Sequence, residues 1–354
     1  MSYDVRYVRN AWYMAGWGKD FPAGKPTAAT LLDELLVFYR QSDGRLVAME
    51  DRCPHRLAPL SLGQVEGDDL RCLYHGVKFN AAGSCVEVPG SNAKPKALCV
   101  RTYPVVERES AVFVWMGDAA KVDEALLPPF IGYENPDWHM LPGRMDYDVY
   151  YELVQDNLLD LSHIAWVHRN SFGGGNADTN KAWAEGELRI TQLPRGVRVE
   201  RWMPNARTPE HQVPMAGPLC DVLTTFDYLV PGYFLLTSSN YRVGSAVRAG
   251  ADRPTEEPLF SSYTAQAVTP ITKRKTTYFF CFGPSAKVPG AENMKQGFLD
   301  LGYRVFNEDR DMLSVQQKVI DADPSRKMVL FDVDKAPTMY RRIIDKLIAD
   351  EVSA

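Results

Sequence analysis

The sequence predicts an α+β fold, and three observations carry that expectation. Short strand-like runs separated by turn residues fill residues 7 to about 117; a second set of such runs fills 183 to 285; helical periodicity is confined to a stretch at about 150–168 and to the C-terminal end. Strands and helices kept in separate blocks argue against alternating βαβ units.

In chain order, the first block contains TLLDELLVFYR, RLVAMED, LRCLYHGVKFN, SCVEVPG and AVFVWMG, broken by SDG at 42–44 and AAG at 81–83. Runs this short, punctuated by Gly, Asp and Asn, predict a small all-β module. Pro128, Pro129, Pro136 and Pro142 then mark a connector, so the expected domains are 1–120 and 121–354. In DYDVYYELVQDNLLDLSHIAWVHRN the apolar residues Leu153, Val154, Leu158, Leu161, Ile164 and Ala165 recur at helical spacing, which predicts one helix at about 150–168. The runs ELRITQL, VRVERWM, YFLLTSS, SSYTAQAV and TTYFFCFG return to strand character, and MKQGFLDLGYRVFNEDRDMLSVQQKVIDAD and APTMYRRIIDKLIADE close the chain as helices.

The 354 residues are 45% hydrophobic and 24% charged, an ordinary globular composition. With 40 basic and 45 acidic residues the net charge is -5, which lacks the basic excess that phosphate neutralisation needs and argues against nucleic acid. Asp4, Arg6 and Arg9 interrupt any apolar stretch of signal-peptide length, and no run is long enough to cross a membrane. The expectation is a soluble, cytoplasmic protein without a membrane partner. Six cysteines are too sparse for a disulfide scaffold, and in a reducing compartment clustered cysteines are more often metal ligands.

Such a cluster exists. Cys53-x-His55 and Cys72-x-x-His75, sixteen residues apart, place one thiol and one imidazole on each of two short loops. Zinc and a two-iron cluster both accept two Cys and two His. Zinc motifs usually keep their two Cys together, whereas one Cys and one His per loop suits a cluster with both thiolates on one iron and both imidazoles on the other. Cys85, Cys99, Cys220 and Cys281 have no partner at ligand spacing and read as packing residues.

A second set lies in QDNLLDLSHIAWVHRN. Asp160 and His163, three apart, share a helix face, but His163 and His168 are five apart, about 140° around a regular helix. Both reach one metal only if the helix ends or loosens near Trp166, as Asn170 and the GGG run at 173–175 suggest. Two imidazoles and one carboxylate on one face of an iron leave positions open for dioxygen and substrate. The residues alone do not pick the carboxylate out of 45 acids. His139 and His211 match no motif and read as structural.

The wording NAWYMAG, CPHRLAPLSLG, CLYHG, TYPVVERE, VWMGD, DNLLDLSH and EDRDML, spread over nearly the whole chain, resembles the Rieske non-haem iron aromatic oxygenases. It is most similar to their vanillate and dicamba O-demethylase and toluenesulfonate methyl-monooxygenase group. The resemblance implies a Rieske [2Fe–2S] domain with Cys53, His55, Cys72 and His75 as ligands, and a helix-grip-like α+β catalytic domain with an antiparallel sheet. It also implies mononuclear Fe(II) on His163, His168 and Asp309, with Asn157 close by and Asp160 hydrogen-bonding both His163 and His75 of the partner subunit in a head-to-tail homotrimer. Electrons would come from NAD(P)H through a separate reductase, with or without a ferredoxin, since the chain has no Gly-x-Gly-x-x-Gly motif. The implied reaction uses dioxygen to O-demethylate or hydroxylate a small, carboxylated methoxy-aromatic; aryl-methyl hydroxylation and ring cis-dihydroxylation are the alternatives on the same scaffold. Leu236, Tyr241 and Gln266 are the expected pocket residues, Gln266 standing where dicamba-type enzymes carry a histidine.

Overall fold

A computed structural model describes residues 6–172, 177–209 and 212–353. The GGG run at 173–175 and His211 lie outside the described residues. The chain divides into two compact units, the first made of Tyr7–Leu127 with Thr269–Lys273 and the second of the remainder.

The first unit is all β, in three small antiparallel sheets. The run TLLDELLVFYR is not one strand but a hairpin, Thr27–Leu31 paired with Glu34–Arg40. Leu32 and Asp33 turn it with φ of 52° and 63°, the double left-handed turn that suits strand twist but normally takes Asn-Gly. Leu32 affords the strain because its side chain is fully buried and its N–H donates to the Pro270 carbonyl at 2.9 Å. The third sheet, Gln64–Glu66, Asp69–Arg71, Lys78–Phe79 and Cys85–Glu87, packs with its neighbour around Val37, Tyr39, Met49, Leu60, Leu70 and Phe79.

The second unit is α+β. Seven strands lie in the order Leu141–Tyr147, Lys275–Pro284, Phe260–Thr272, Tyr233–Tyr241, Leu219–Leu229, Gly196–Arg207, Glu187–Leu193, with antiparallel pairing. The 28-residue helix Lys295–Ala322 buries Phe298, Gly302, Val305, Phe306, Asp309, Leu313 and Gln317, a single face at three- and four-residue steps. That face lies on the sheet: the Phe306 ring is 4.8 Å from Phe280 and 4.9 Å from Tyr278, and Tyr147 donates to the Phe306 carbonyl at 2.9 Å. The period that seats Phe306 therefore also points one acid, Asp309, inward at 3% exposure.

The helix expected at 150–168 is shorter. It runs Tyr151–Leu159, breaks at Asp160 (φ -125°, ψ 95°) and resumes as a 3-10 turn over Leu161–Ala165. Asp160 makes the break: its carboxylate accepts from Ser162 N at 2.9 Å and Ser162 Oγ at 2.8 Å, capping the turn that follows. Tyr228 Oη donates to the Leu158 carbonyl at 2.8 Å, satisfying the end of the helix from the sheet. No helix among the described residues is long and apolar enough to cross a membrane.

Candidate metal centres and substrate cavity

The two Cys-His loops of the first unit are built alike. Cys53 N–H donates to the Ala58 carbonyl and the Cys53 carbonyl accepts from Leu57 N; Cys72 N–H donates to the Val77 carbonyl and the Cys72 carbonyl accepts from Gly76 N, all at 2.8–2.9 Å. Four residues after each cysteine the backbone turns left-handed, at Leu57 (φ 58°) and Gly76 (φ 76°). At Gly76 a side chain is also barred by space, since a Cβ would stand 2.7 Å from the Pro89 ring. The loops face each other with the His55 and His75 rings 4.5 Å apart. Cys53 and Cys72 are buried in the core of the unit while both imidazoles are exposed. Burial pushes the Cys53 thiol up to about 11, and the adjoining Cys72 thiol adds to the rise. Two buried thiols side by side, opposite two outward imidazoles, suit a cationic cluster that holds both as thiolates and exposes its imidazole side.

In the second unit His163, His168 and Asp309 converge, each offering one donor atom within 4.8 Å of the others. His163 Nε2 and His168 Nε2 are 3.2 Å apart, and Asp309 Oδ1 lies 3.6 Å and 3.1 Å from them. Donors bound about 2.1 Å from one metal at right angles stand about 3.0 Å apart, so this spacing is that of a facial ligand set. The tautomers agree. His163 Nδ1–H donates to the Asp160 carbonyl and His168 Nδ1–H to Glu308 Oε2 at 2.8 Å, which leaves both Nε2 lone pairs facing each other and a carboxylate. Three acceptors at this separation repel unless a cation sits among them. Burial lowers the pKa of His163 against the pull of Asp309; for His168 burial is outweighed by the hydrogen bond and charge of Asp309 and the value rises.

The break at Asp160 makes this possible, since a continuous helix would turn His163 and His168 apart. Asn157, on the last helical turn, donates from Nδ2 to Asp309 Oδ1 at 3.1 Å. Asp160 departs from its expected contact: His163 is held by the main-chain carbonyl, not the carboxylate, because the carboxylate is committed to Ser162. Glu308 was not singled out in the sequence. It binds His168 Nδ1 and accepts from Ser171 Oγ at 2.7 Å, orienting the imidazole; adjacency to Asp309 was the available signal. Glu308→Gln should leave the protein folded and weaken iron retention roughly 10- to 100-fold, read by iron titration of the apoprotein.

Surface concavities of about 590 and 550 Å³ contain no residue of the metal set. A smaller cavity, about 80 Å³, does adjoin it, through Ile164 next to His163 and through Phe172, whose ring is 6.2 Å from His168. Trp183, Met203, Val222 and Phe282 extend its apolar wall. Leu236 lines it, but Tyr241 and Gln266 do not. Strand alternation sends Leu236, Ser238 and Asn240 to the cavity and Tyr241 to the opposite face. Gln266 shares the cavity parity, yet it is 3% exposed, pairs with Phe234 beyond the lining residues, and its Oε1 accepts from Tyr278 at 2.5 Å. Of the other histidines and cysteines, His139 is half-buried with its N–H on the Pro284 carbonyl, Cys220 and Cys281 are buried, and Cys99 is exposed.

Fold and donor sets together define a class: an oxygenase component with an iron–sulfur domain and a mononuclear-iron domain. Residues 11–104 match the Rieske [2Fe-2S] domain and residues 147–350 the vanillate O-demethylase oxygenase C-terminal domain. The iron–sulfur subunit of the toluene-4-sulfonate monooxygenase system of Comamonas testosteroni is 34% identical over 350 residues, covering 98% of both chains. The vanillate O-demethylase oxygenase subunit of Pseudomonas sp. strain HR199 is 32% identical over 98% of this chain and 97% of its own. A crystal structure of dicamba monooxygenase bound to dicamba superposes with a TM-score of 0.82 at 28% identity, over 99% of this chain and 100% of that one. The chain belongs to the Rieske non-haem iron oxygenases, and its cofactors are a Rieske [2Fe–2S] cluster and mononuclear iron.

Proposed function

We propose that this chain is the oxygenase component of a multi-component monooxygenase that removes an O-methyl group from, or hydroxylates a methyl substituent on, a small aromatic acid, with dioxygen as co-substrate. The observation that carries this reading is the placement of the His163, His168 and Asp309 acceptors against an apolar cavity bounded by Ile164 and Phe172. Relatives named for toluene-4-sulfonate and for vanillate O-demethylation, both small aromatic acids, support the substrate class. When bound, the mononuclear iron supplies dioxygen activation and the cluster supplies electron storage, chemistry that side chains lack.

The protein's own part is to orient the donors and to shape the cavity beside them. Asp160 and Glu308 fix the two imidazoles through their Nδ1–H groups, Asn157 steadies the Asp309 carboxylate, and Phe172, Trp183 and Phe282 give the cavity an aromatic wall. Electrons are assigned to NAD(P)H through a separate reductase, with or without a ferredoxin. The assembly is a homotrimer in which Asp160 lies beside His75 of the partner subunit. Oxygen uptake by the metal-loaded protein with a reconstituted reductase, over a panel of methoxylated and methylated aromatic acids, tests the reading. Expected are stoichiometric formaldehyde or benzylic alcohol and one labelled oxygen atom from labelled dioxygen. Entry of both atoms into a ring diol would replace it with cis-dihydroxylation.

A further inference from the structure

Resting on the reading that a small aromatic acid is the substrate, we propose that the sheet wall of this cavity is the subsite for the acid's oxyanion, sulfonate or carboxylate. The hydroxyls of Ser238, Ser262 and Thr264 hydrogen-bond it, and Arg207 supplies the countercharge.

The three hydroxyls share the cavity face of two neighbouring strands. Ser238 pairs directly with Ser262, and Thr264 pairs with Leu236 one step along, so the oxygens cluster within reach of one ligand group. Their partner state is what singles them out. On the reverse face the next pair, Ser239 and Ser261, satisfy each other with a hydrogen bond of 2.9 Å. The lining amides are also engaged, Asn240 Nδ2 donating to Gln212 Oε1 at 2.9 Å. Among the described residues no side-chain hydrogen bond is formed by Ser238, Ser262 or Thr264, although Ser262 and Thr264 are each only 5% exposed. A cavity wall that carries three hydroxyls without a protein partner among the described residues is fitted to a ligand that brings oxygen atoms.

The charge follows from the lining. Arg207 is the one charged side chain among the described lining residues, and it makes no ion pair among the described residues. No carboxylate is among the described lining residues to oppose an anion. An acid held at this wall leaves its ring against Trp183 and Leu236 and its far substituent toward Ile164 and Phe172, the two lining residues that adjoin the metal histidines.

Calorimetric titration of the metal-loaded full chain under nitrogen, with benzenesulfonate, benzoate and toluene as probes, tests this without turnover. At least one acid should bind about tenfold or more tighter than toluene, and the two acid arms tell which oxyanion the wall fits. The isosteric pair Ser262→Ala and Thr264→Val should weaken that acid about tenfold or more and leave toluene unchanged, as expected for losing hydrogen bonds to a charged group. Arg207→Gln, at an exposed position that keeps the test decisive if the buried pair does not fold, should weaken the acid and flatten its salt dependence. Acids no tighter than toluene, or acid affinity untouched by these substitutions, overturn the subsite. Tight acid binding with no oxygenation of any methyl or methoxy acid would overturn the reaction reading and leave the subsite standing.

Discussion

Asp309→Ala is expected to abolish substrate-dependent oxygen uptake while iron per chain falls from about three to about two, the remainder being the cluster with its visible spectrum intact. The selectivity follows from where the residue sits. Asp309 is buried on the sheet-facing side of the helix Lys295–Ala322, and its carboxylate lies within 4.8 Å of the donor atoms of His163 and His168. Removing the carboxylate leaves two neutral imidazoles, too little charge to hold a divalent ion in competition with water. Asn157 and Glu308 cannot stand in, because the first offers only a neutral amide and the second is occupied with His168 Nδ1 and Ser171. An Asp309→Ala protein that kept its third iron would remove this residue from the ligand set.

How much of this was legible varies by element. The spacing of Cys53, His55, Cys72 and His75 announced one centre because ligand spacing in a short loop survives any detail of packing. The helical period Phe298, Gly302, Val305, Phe306, Asp309 could be read as a buried face with an acid on it, although choosing Asp309 needed the family wording. The break at Asp160 was hidden: Leu161 and Ile164 continue the apolar period of the preceding helix, and a period does not reveal a cap. Only the Asp160-x-Ser162 pair, whose side chain and backbone bond locally, carried that signal. The turn at Leu32–Asp33 was equally silent, since its left-handed residues are held by burial and by Pro270, far along the chain. In the cavity, parity was the obstacle: whether Ser238 or Tyr241 faces the substrate depends on strand register, which pairing fixes and composition does not.

Cys72→Ser should remove the other centre and reverse the metal inventory. The protein would keep about one iron per chain, lose its visible absorption and fail to accept electrons from dithionite, so no substrate is turned over. Serine at this position is still a hydrogen-bonding residue, and the loop geometry set by the Cys72–Val77 and Cys72–Gly76 backbone bonds does not depend on sulfur, so the effect isolates the ligand. Stability should fall as well as activity. Cys53 and Cys72 lie in the same apolar core as Leu60, Leu70 and Phe79, and a cluster bound there stabilises the first unit against unfolding by mass action, which its absence forfeits. Calorimetry should then show the unit formed by Tyr7–Leu127 melting earlier, with the transition of the second unit unchanged. His75→Cys makes the contrasting case, because it exchanges one ligand type for another without emptying the site. There the cluster stays, its colour shifts, and added thiolate charge lowers its potential by on the order of a few hundred mV, toward the range of all-cysteine clusters. Retention of the wild-type potential in His75→Cys, or of the coloured cluster in Cys72→Ser, would take that residue out of the ligand set.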